Sequence, residues 1–104
     1  MAKATIDAGI CGFTTTVETE ETGNYQFKLH IESQCQHIQK MAEDLLEVNA
    51  LGEISPRKGD HQILEKGKQY CTHAACPVPV GVIKAVEVAA GLALPKDASI
   101  KVEK

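Results

Sequence analysis

The sequence predicts an α+β fold in which a small antiparallel three-stranded sheet is packed on one face by two main helices. Apolar and polar residues alternate over residues 13–32, and apolar residues have helical spacing over 34–48 and again over 77–91. The chain has 104 residues, of which 43% are hydrophobic and 24% are charged. Because this is the size and composition of one globular domain, we take residues 1–104 as a single domain.

Three strands are predicted in the first third of the chain. Residues 4–10 alternate weakly, residues 13–20 alternate more clearly, and residues 25–32 alternate strictly between apolar and polar side chains. The connections between these segments are short, which favours an antiparallel meander. Residues 98–103 also alternate, so we expect them to add a short extra strand.

The helices are predicted from caps and apolar spacing. Ser33, with a glutamine three residues later, fits a capping box and starts the helix 34–48. A short helix is expected within residues 60–66. The last helix, 77–91, ends at Gly91. Apolar residues surround most of its circumference, so we expect it to be deeply buried or covered by a partner such as a second copy of the chain.

Charge and composition exclude several classes of partner. The chain has 14 acidic and 11 basic residues and a formal charge of -3, which argues against nucleic-acid binding because phosphate contacts need a basic face. We find no apolar run of roughly 18 residues and no signal peptide, so we expect a cytoplasmic protein without a membrane segment. Thiols stay reduced in the cytoplasm, and the four cysteines therefore indicate metal or redox chemistry rather than structural disulfides.

The order of the predicted elements brings cysteines together. Cys11 lies in the turn between the first two strands, and Cys35 follows the end of the third strand. In a meander these two positions meet at the same edge of the sheet. Cys35 and Cys76 also lie at the starts of predicted helices, where the helix dipole stabilises the thiolate form that binds metals and attacks electrophiles.

The fourth donor of such a site remains open between two residues. Both Cys71 and His73 lie close to Cys76 in the sequence. Thiolates with an optional imidazole suit either zinc or an iron–sulfur cluster, and the sequence does not choose between them. The predicted ligands are thus Cys11, Cys35, Cys76 and one of Cys71 or His73.

The cysteine pattern resembles that of the iron–sulfur cluster scaffold family of the NifU/IscU type. In that family a Cys-Gly pair ends one strand, a second cysteine opens a helix after a hairpin, and a third opens a late helix; Cys11-Gly12, Cys35 and Cys76 match these positions. The similarity extends over about residues 6–92. It implies a non-enzymatic scaffold or carrier with a labile cluster or zinc, a sulfur donor and an apo-protein acceptor.

The chain departs from the scaffold pattern at three positions. Phe13 stands where the family has an aspartate associated with cluster release, Ala75 stands where it has a histidine, and Cys71 is additional. A fourth thiolate would make a tighter site, so we expect a domain that holds its metal or cluster more permanently than a delivery scaffold does.

Two alternative functions follow from the same residues. In the first, the protein is a thiol redox or persulfide-accepting protein in which Cys76 is the nucleophile and Cys71 resolves it as a disulfide. In the second, it is an interaction module in which zinc holds the fold and the apolar helix 77–91 docks a partner.

Overall fold

The computed structural model describes all residues 1–104 and shows the predicted α+β class. A four-stranded antiparallel sheet is covered on one face by helices, and its strands lie in chain order. No helix is long and apolar enough to cross a membrane. The elements in chain order are β1 (Lys3–Asp7), β2 (Thr14–Gly23), β3 (Gln26–Ser33), α1 (Gln36–Glu43), β4 (Glu47–Asn49), α2 (Ala50–Ile54), α3 (Gln62–Tyr70) and α4 (Val78–Ala89).

The first three strands form the predicted meander. Asp7 pairs with Thr14 next to the β1–β2 loop. Thr15 pairs with Ser33, the last residue of β3, at the same end of the sheet. Tyr25, in the tight turn between β2 and β3, has a φ of 59°. The β1–β2 loop and the last residue of β3 therefore lie at the same end of the strands.

Alternation gives the sheet one buried and one open face. Thr15, Val17 and Thr19 of β2 are buried, as are Phe27 and Leu29 of β3. The residues between them are mostly exposed and charged, so the sheet packs against helices only on the first face. The buried apolar residues form one core, listed here: Ile6, Val17, Phe27, Leu29, Ile38, Met41, Leu45, Val48, Ala50, Ile63, Val78, Val82, Ala85 and Val86.

The predicted helix 34–48 is too long at both ends. Cys35, not Ser33, is the N-cap of α1, and the Ser33 hydroxyl instead accepts a hydrogen bond from the Cys35 N–H at 3.1 Å. The helix ends at Glu43, and the chain then turns into β4, where Val48 pairs with Phe27. Strand pairing buries Val48 against the core and satisfies the backbone of β3, which a longer helix would leave open.

The connection after β4 contains more structure than the sequence predicts. The five-residue helix α2 was not predicted, and the helix expected over 60–66 is α3, which starts and ends later. Glu53 of α2 links the two helices, because its carboxylate accepts hydrogen bonds from the Gln62 and Ile63 N–H groups at 3.0 and 2.8 Å. The N-cap residue of α3, His61, makes no capping side-chain bond. Glu53 therefore satisfies the first turn of α3 in its place.

The last helix ends as predicted. Gly91 has a φ of 75°, and the Leu92 N–H donates to the Glu87 carbonyl at 2.9 Å, which closes the last turn. One side of α4 is buried against the sheet, whereas Val80 is 52% exposed. Its close approach to β1 depends on Gly81, where an added Cβ would lie 2.2 Å from Ile6 Cγ1.

The expected strand over 98–103 does not form within the chain. Residues 95–104 have no secondary structure, and Ile100 and Val102 are 85% and 86% exposed. The fourth place in the sheet, next to β3, is taken by β4. The other edge, along β1, carries no further strand.

Candidate thiol site

Three of the four cysteines lie at the ends of helices and pack against the same core. Cys35 is the N-cap of α1, Cys71 is the C-cap of α3, and Cys76 lies two residues before α4. All three are partly buried and contact the hydrophobic core. Two segments that are distant in sequence, the start of α1 and the connection between α3 and α4, thus place thiols in one region.

Backbone hydrogen bonds fix Cys71 and Cys76 in the connection between α3 and α4. The Cys71 N–H donates to the Gly67 carbonyl at 2.9 Å, and the Cys76 N–H donates to the His73 carbonyl at 3.2 Å. The second bond closes a turn that brings the chain back toward α3. The His73 side chain is exposed, so this residue contributes its backbone to the turn.

The thiols of Cys71 and Cys76 lie close enough to interact, and Cys35 is close enough for its charge to act on Cys71. Burial raises the pKa of Cys71 to about 12, and the nearby Cys76 and Cys35 sulfurs contribute to the same shift. Cys71 therefore keeps its proton at neutral pH while these sulfurs have no cation among them.

Cys11 occupies the exposed loop between β1 and β2. Glycines flank it, with φ angles of 86° at Gly9 and 76° at Gly12, and the Gly12 N–H donates to the Gly9 carbonyl at 2.9 Å. The strand register places this loop at the sheet edge where β3 leads into Cys35. Cys11 itself is exposed and does not join the partly buried thiols.

The predicted donors do not form a ready coordination shell. No group of three or more histidine, cysteine, aspartate or glutamate side chains is arranged to hold a metal ion. The donor chemistry of the thiols suits zinc or an iron–sulfur cluster. Their present geometry does not, so ligation requires the side chains or the Cys11 loop to move.

The sequence did not indicate what brings α3 and α4 close together. An added Cβ on Gly67 would lie 2.5 Å from Pro79 Cγ, so the two helices touch where one has no side chain. Gly67 is one turn before Cys71, and Pro79 is three residues after Cys76. Gly67 lies one residue beyond the helix expected over 60–66, so its place inside α3, where a glycine allows close approach, follows only from the structure.

Comparison with models of protein families gives a match over nearly the whole chain. A family model described as "Family of unknown function (DUF6951)" matches residues 2–102. The comparisons with curated proteins and with solved structures each return no match. The resemblance to the NifU/IscU scaffolds stays a prediction from the cysteine pattern. Because the match extends over nearly the whole chain, the protein belongs to the DUF6951 family of unknown function.

Proposed function

We propose that this protein binds a metal ion or an iron–sulfur cluster through cysteine thiolates and acts as a carrier or holder of it. The observation that supports this proposal is the gathering of the Cys35, Cys71 and Cys76 thiols from three separate helix ends onto one edge of the core. Cys11 is the further ligand, with His73 as the alternative to Cys71. Thiolates supply the donor set, and zinc or a cluster supplies the positive charge that holds them together.

Charge explains why such a gathering favours a cation. Three thiolates in a partly buried region repel one another, and burial adds a desolvation cost for each of them. A cation bonded to the sulfurs offsets both effects, since a coordinating thiol is deprotonated outright. Buried cysteines that act only as small apolar residues need not lie near one another, whereas Cys76 and Cys35 both lie close enough to Cys71 to act on its thiol.

The Cys11 loop is exposed and has open space around it. A Cβ built on Gly9 or Gly12 meets no atom within 4 Å, and both Ile10 and Cys11 are exposed. The loop lies at the same end of the strands as the last residue of β3, two residues before Cys35. Closure of this loop over the three packed thiols would supply a fourth sulfur.

Anaerobic purification of the 104-residue chain tests the proposal directly. Iron, zinc and acid-labile sulfide are measured together with the visible absorption spectrum, before and after reconstitution. We expect stoichiometric zinc, or iron and sulfide in near-equal amounts with charge-transfer absorption. Failure to bind either zinc or a cluster after reconstitution would refute the proposal.

Single substitutions identify the ligands. We expect Cys35→Ser and Cys76→Ser each to weaken metal binding more than about tenfold. Comparison of Cys71→Ser with His73→Ala shows which of the two supplies the fourth donor. His37→Ala is the matched control, because His37 is an exposed histidine two residues from Cys35 and should leave binding unchanged.

A second function is favoured by the proximity of the Cys71 and Cys76 thiols. In this candidate the two thiols are oxidised to a disulfide, with loss of two protons and two electrons to a disulfide oxidant such as oxidised glutathione. Cys11→Ser separates the two candidates. A metal carrier loses affinity in this variant, whereas a Cys71–Cys76 redox couple keeps its potential.

A further inference from the structure

The edge of the sheet along β1 has unpaired backbone groups that point outward. The Ala2 carbonyl accepts a hydrogen bond from the Thr19 N–H at 2.9 Å, and the Ala8 N–H donates to the Phe13 carbonyl at 3.1 Å. Both residues therefore direct their backbone groups toward β2. The direction of the backbone N–H and C=O groups alternates from one residue to the next along a strand. The groups of Lys3, Thr5 and Asp7 therefore face away from β2.

The segment 95–104 has the pattern of a strand without a partner. Ile100 and Val102 alternate with Ser99, Lys101 and Glu103, and the two apolar side chains are 85% and 86% exposed. Leaving both in water costs the free energy that burial would gain. The segment is long enough to pair with all five residues of β1.

We propose that residues 99–103 of one copy of this chain pair antiparallel with β1 of a second copy, and that the exchange is reciprocal. The pairing places Ile100 opposite Ile6 and Val102 opposite Ala4, so the apolar residues lie on the sheet face that packs against α4. Such β-augmentation covers the β1 edge of each copy, and the reciprocal exchange closes the assembly at two copies.

Charge selects the antiparallel direction. In this register Lys3 lies opposite Glu103, and Lys101 lies opposite the uncharged Thr5. A parallel alignment that keeps Ile100 and Val102 on the core face places Glu103 beside Asp7, where two carboxylates repel. The antiparallel register therefore satisfies both the apolar pattern and the charges.

A second copy is the occupant that fits the segment as it lies in the structure. Residues 95–104 do not pair with β1 of their own chain, and Leu94, which precedes them, is 89% exposed. The segment extends away from the core and is available to another molecule. Chain exchange of this kind needs no refolding of the rest of the domain.

Sedimentation velocity and multi-angle light scattering of the 104-residue chain test this proposal. We expect a dimer of twice the 11.2 kDa chain mass at micromolar concentration, and a monomer when residues 96–104 are removed. Circular dichroism checks that the shortened chain keeps its fold. A full chain that is monomeric, including one in which the segment pairs within its own molecule, would overturn the proposal. So would a dimer that survives the deletion.

Point variants test the register. Ile100→Asp should weaken the dimer at least about tenfold, because it places a charge on the buried face, whereas the matched control Lys101→Gln on the open face should change it little. Lys3→Glu should weaken the dimer about threefold to tenfold, and the double variant K3E/E103K should restore it. The proposed pairing is wrong if the double variant is weaker than K3E alone.

Discussion

Removing the carboxylate of Glu53 should unfold the start of α3. Glu53 is only 3% exposed, and its two oxygens accept hydrogen bonds from the Gln62 and Ile63 N–H groups. In Glu53→Ala the Ile63 N–H loses its partner in the buried core, where water cannot replace it, whereas the Gln62 N–H keeps a hydrogen bond to the Asp60 carbonyl at 3.0 Å. An orphaned buried donor costs about 1–3 kcal/mol, and we expect the free energy of unfolding to fall by that amount.

Glu53→Gln separates the charge from the shape of this contact. The amide keeps one acceptor oxygen but turns an N–H₂ group toward the second N–H, so one of the two hydrogen bonds is lost. We expect a loss of about 1–2 kcal/mol, measured by urea denaturation. Glu65→Gln is the matched control, since Glu65 lies in the same first turn of α3 but is exposed, and it should stay within about 0.5 kcal/mol of the wild type.

The pH dependence gives the same prediction an independent test. Burial raises the pKa of Glu53 more than the Ile63 and Gln62 N–H groups lower it. A carboxyl whose folded-state pKa is raised contributes stability that is fully present below its unfolded pKa and is lost as the pH rises through the folded value. Wild-type protein should therefore gain stability relative to E53Q as the pH falls from neutral toward the unfolded pKa. Equal stability of E53A and E65Q, or a relative loss by the wild type on acidification, would refute the reasoning.

Two further predictions concern packing and surface charge. Gly81→Ala places a Cβ 2.2 Å from Ile6 Cγ1, and this overpacking should lower the free energy of unfolding by about 1–3 kcal/mol. The higher helix propensity of alanine offsets up to about 1 kcal/mol of that loss. The same change in an Ile6→Ala background should be neutral or stabilising, and a thermal-unfolding double-mutant cycle without coupling would contradict the contact. Asp44 accepts hydrogen bonds from Lys66 and Tyr70, each at 2.9 Å, and these bonds lower its pKa. The contribution of Asp44 to stability is present above its unfolded-state pKa and is lost as the pH falls through its folded-state pKa. Asp44→Asn should therefore weaken the pH dependence of the free energy of unfolding in acid. An unchanged pH dependence would show that these bonds do not contribute to stability.

The parts of the fold that the sequence predicts correctly are those with one consistent period. Strict alternation identified β3, and Gly91 marked the end of α4. The predicted helix 34–48 is too long because Leu45 and Val48 continue the helical spacing. Both residues are buried, but Leu45 lies in the turn after α1 and Val48 lies in β4. An apolar residue at the right spacing shows that it is buried but not which element buries it.

The candidate site was only partly visible in the sequence. Cys35 and Cys76 lie near helix starts, as the sequence predicts, but the thiol that lies near Cys76 is Cys71, which is additional to the scaffold pattern. This proximity depends on the approach of α3 to α4 at Gly67 and on the turn closed by the hydrogen bond from the Cys76 N–H to the His73 carbonyl. Contacts between elements of this kind depend on tertiary packing, which single-residue patterns do not report.

The packing of α4 on β1 has a consequence for the order in which the protein assembles. Neighbouring strands in the sheet are neighbours in sequence, so the meander can form while the chain is still being synthesised. Gly81 and Ile6, in contrast, lie in opposite parts of the chain, and their contact closes a long loop. Cys76 is thus the last thiol to reach its place. On the proposed function, metal loading is a post-translational step, because a nascent chain on the ribosome displays Cys11 and Cys35 long before the thiol set is complete.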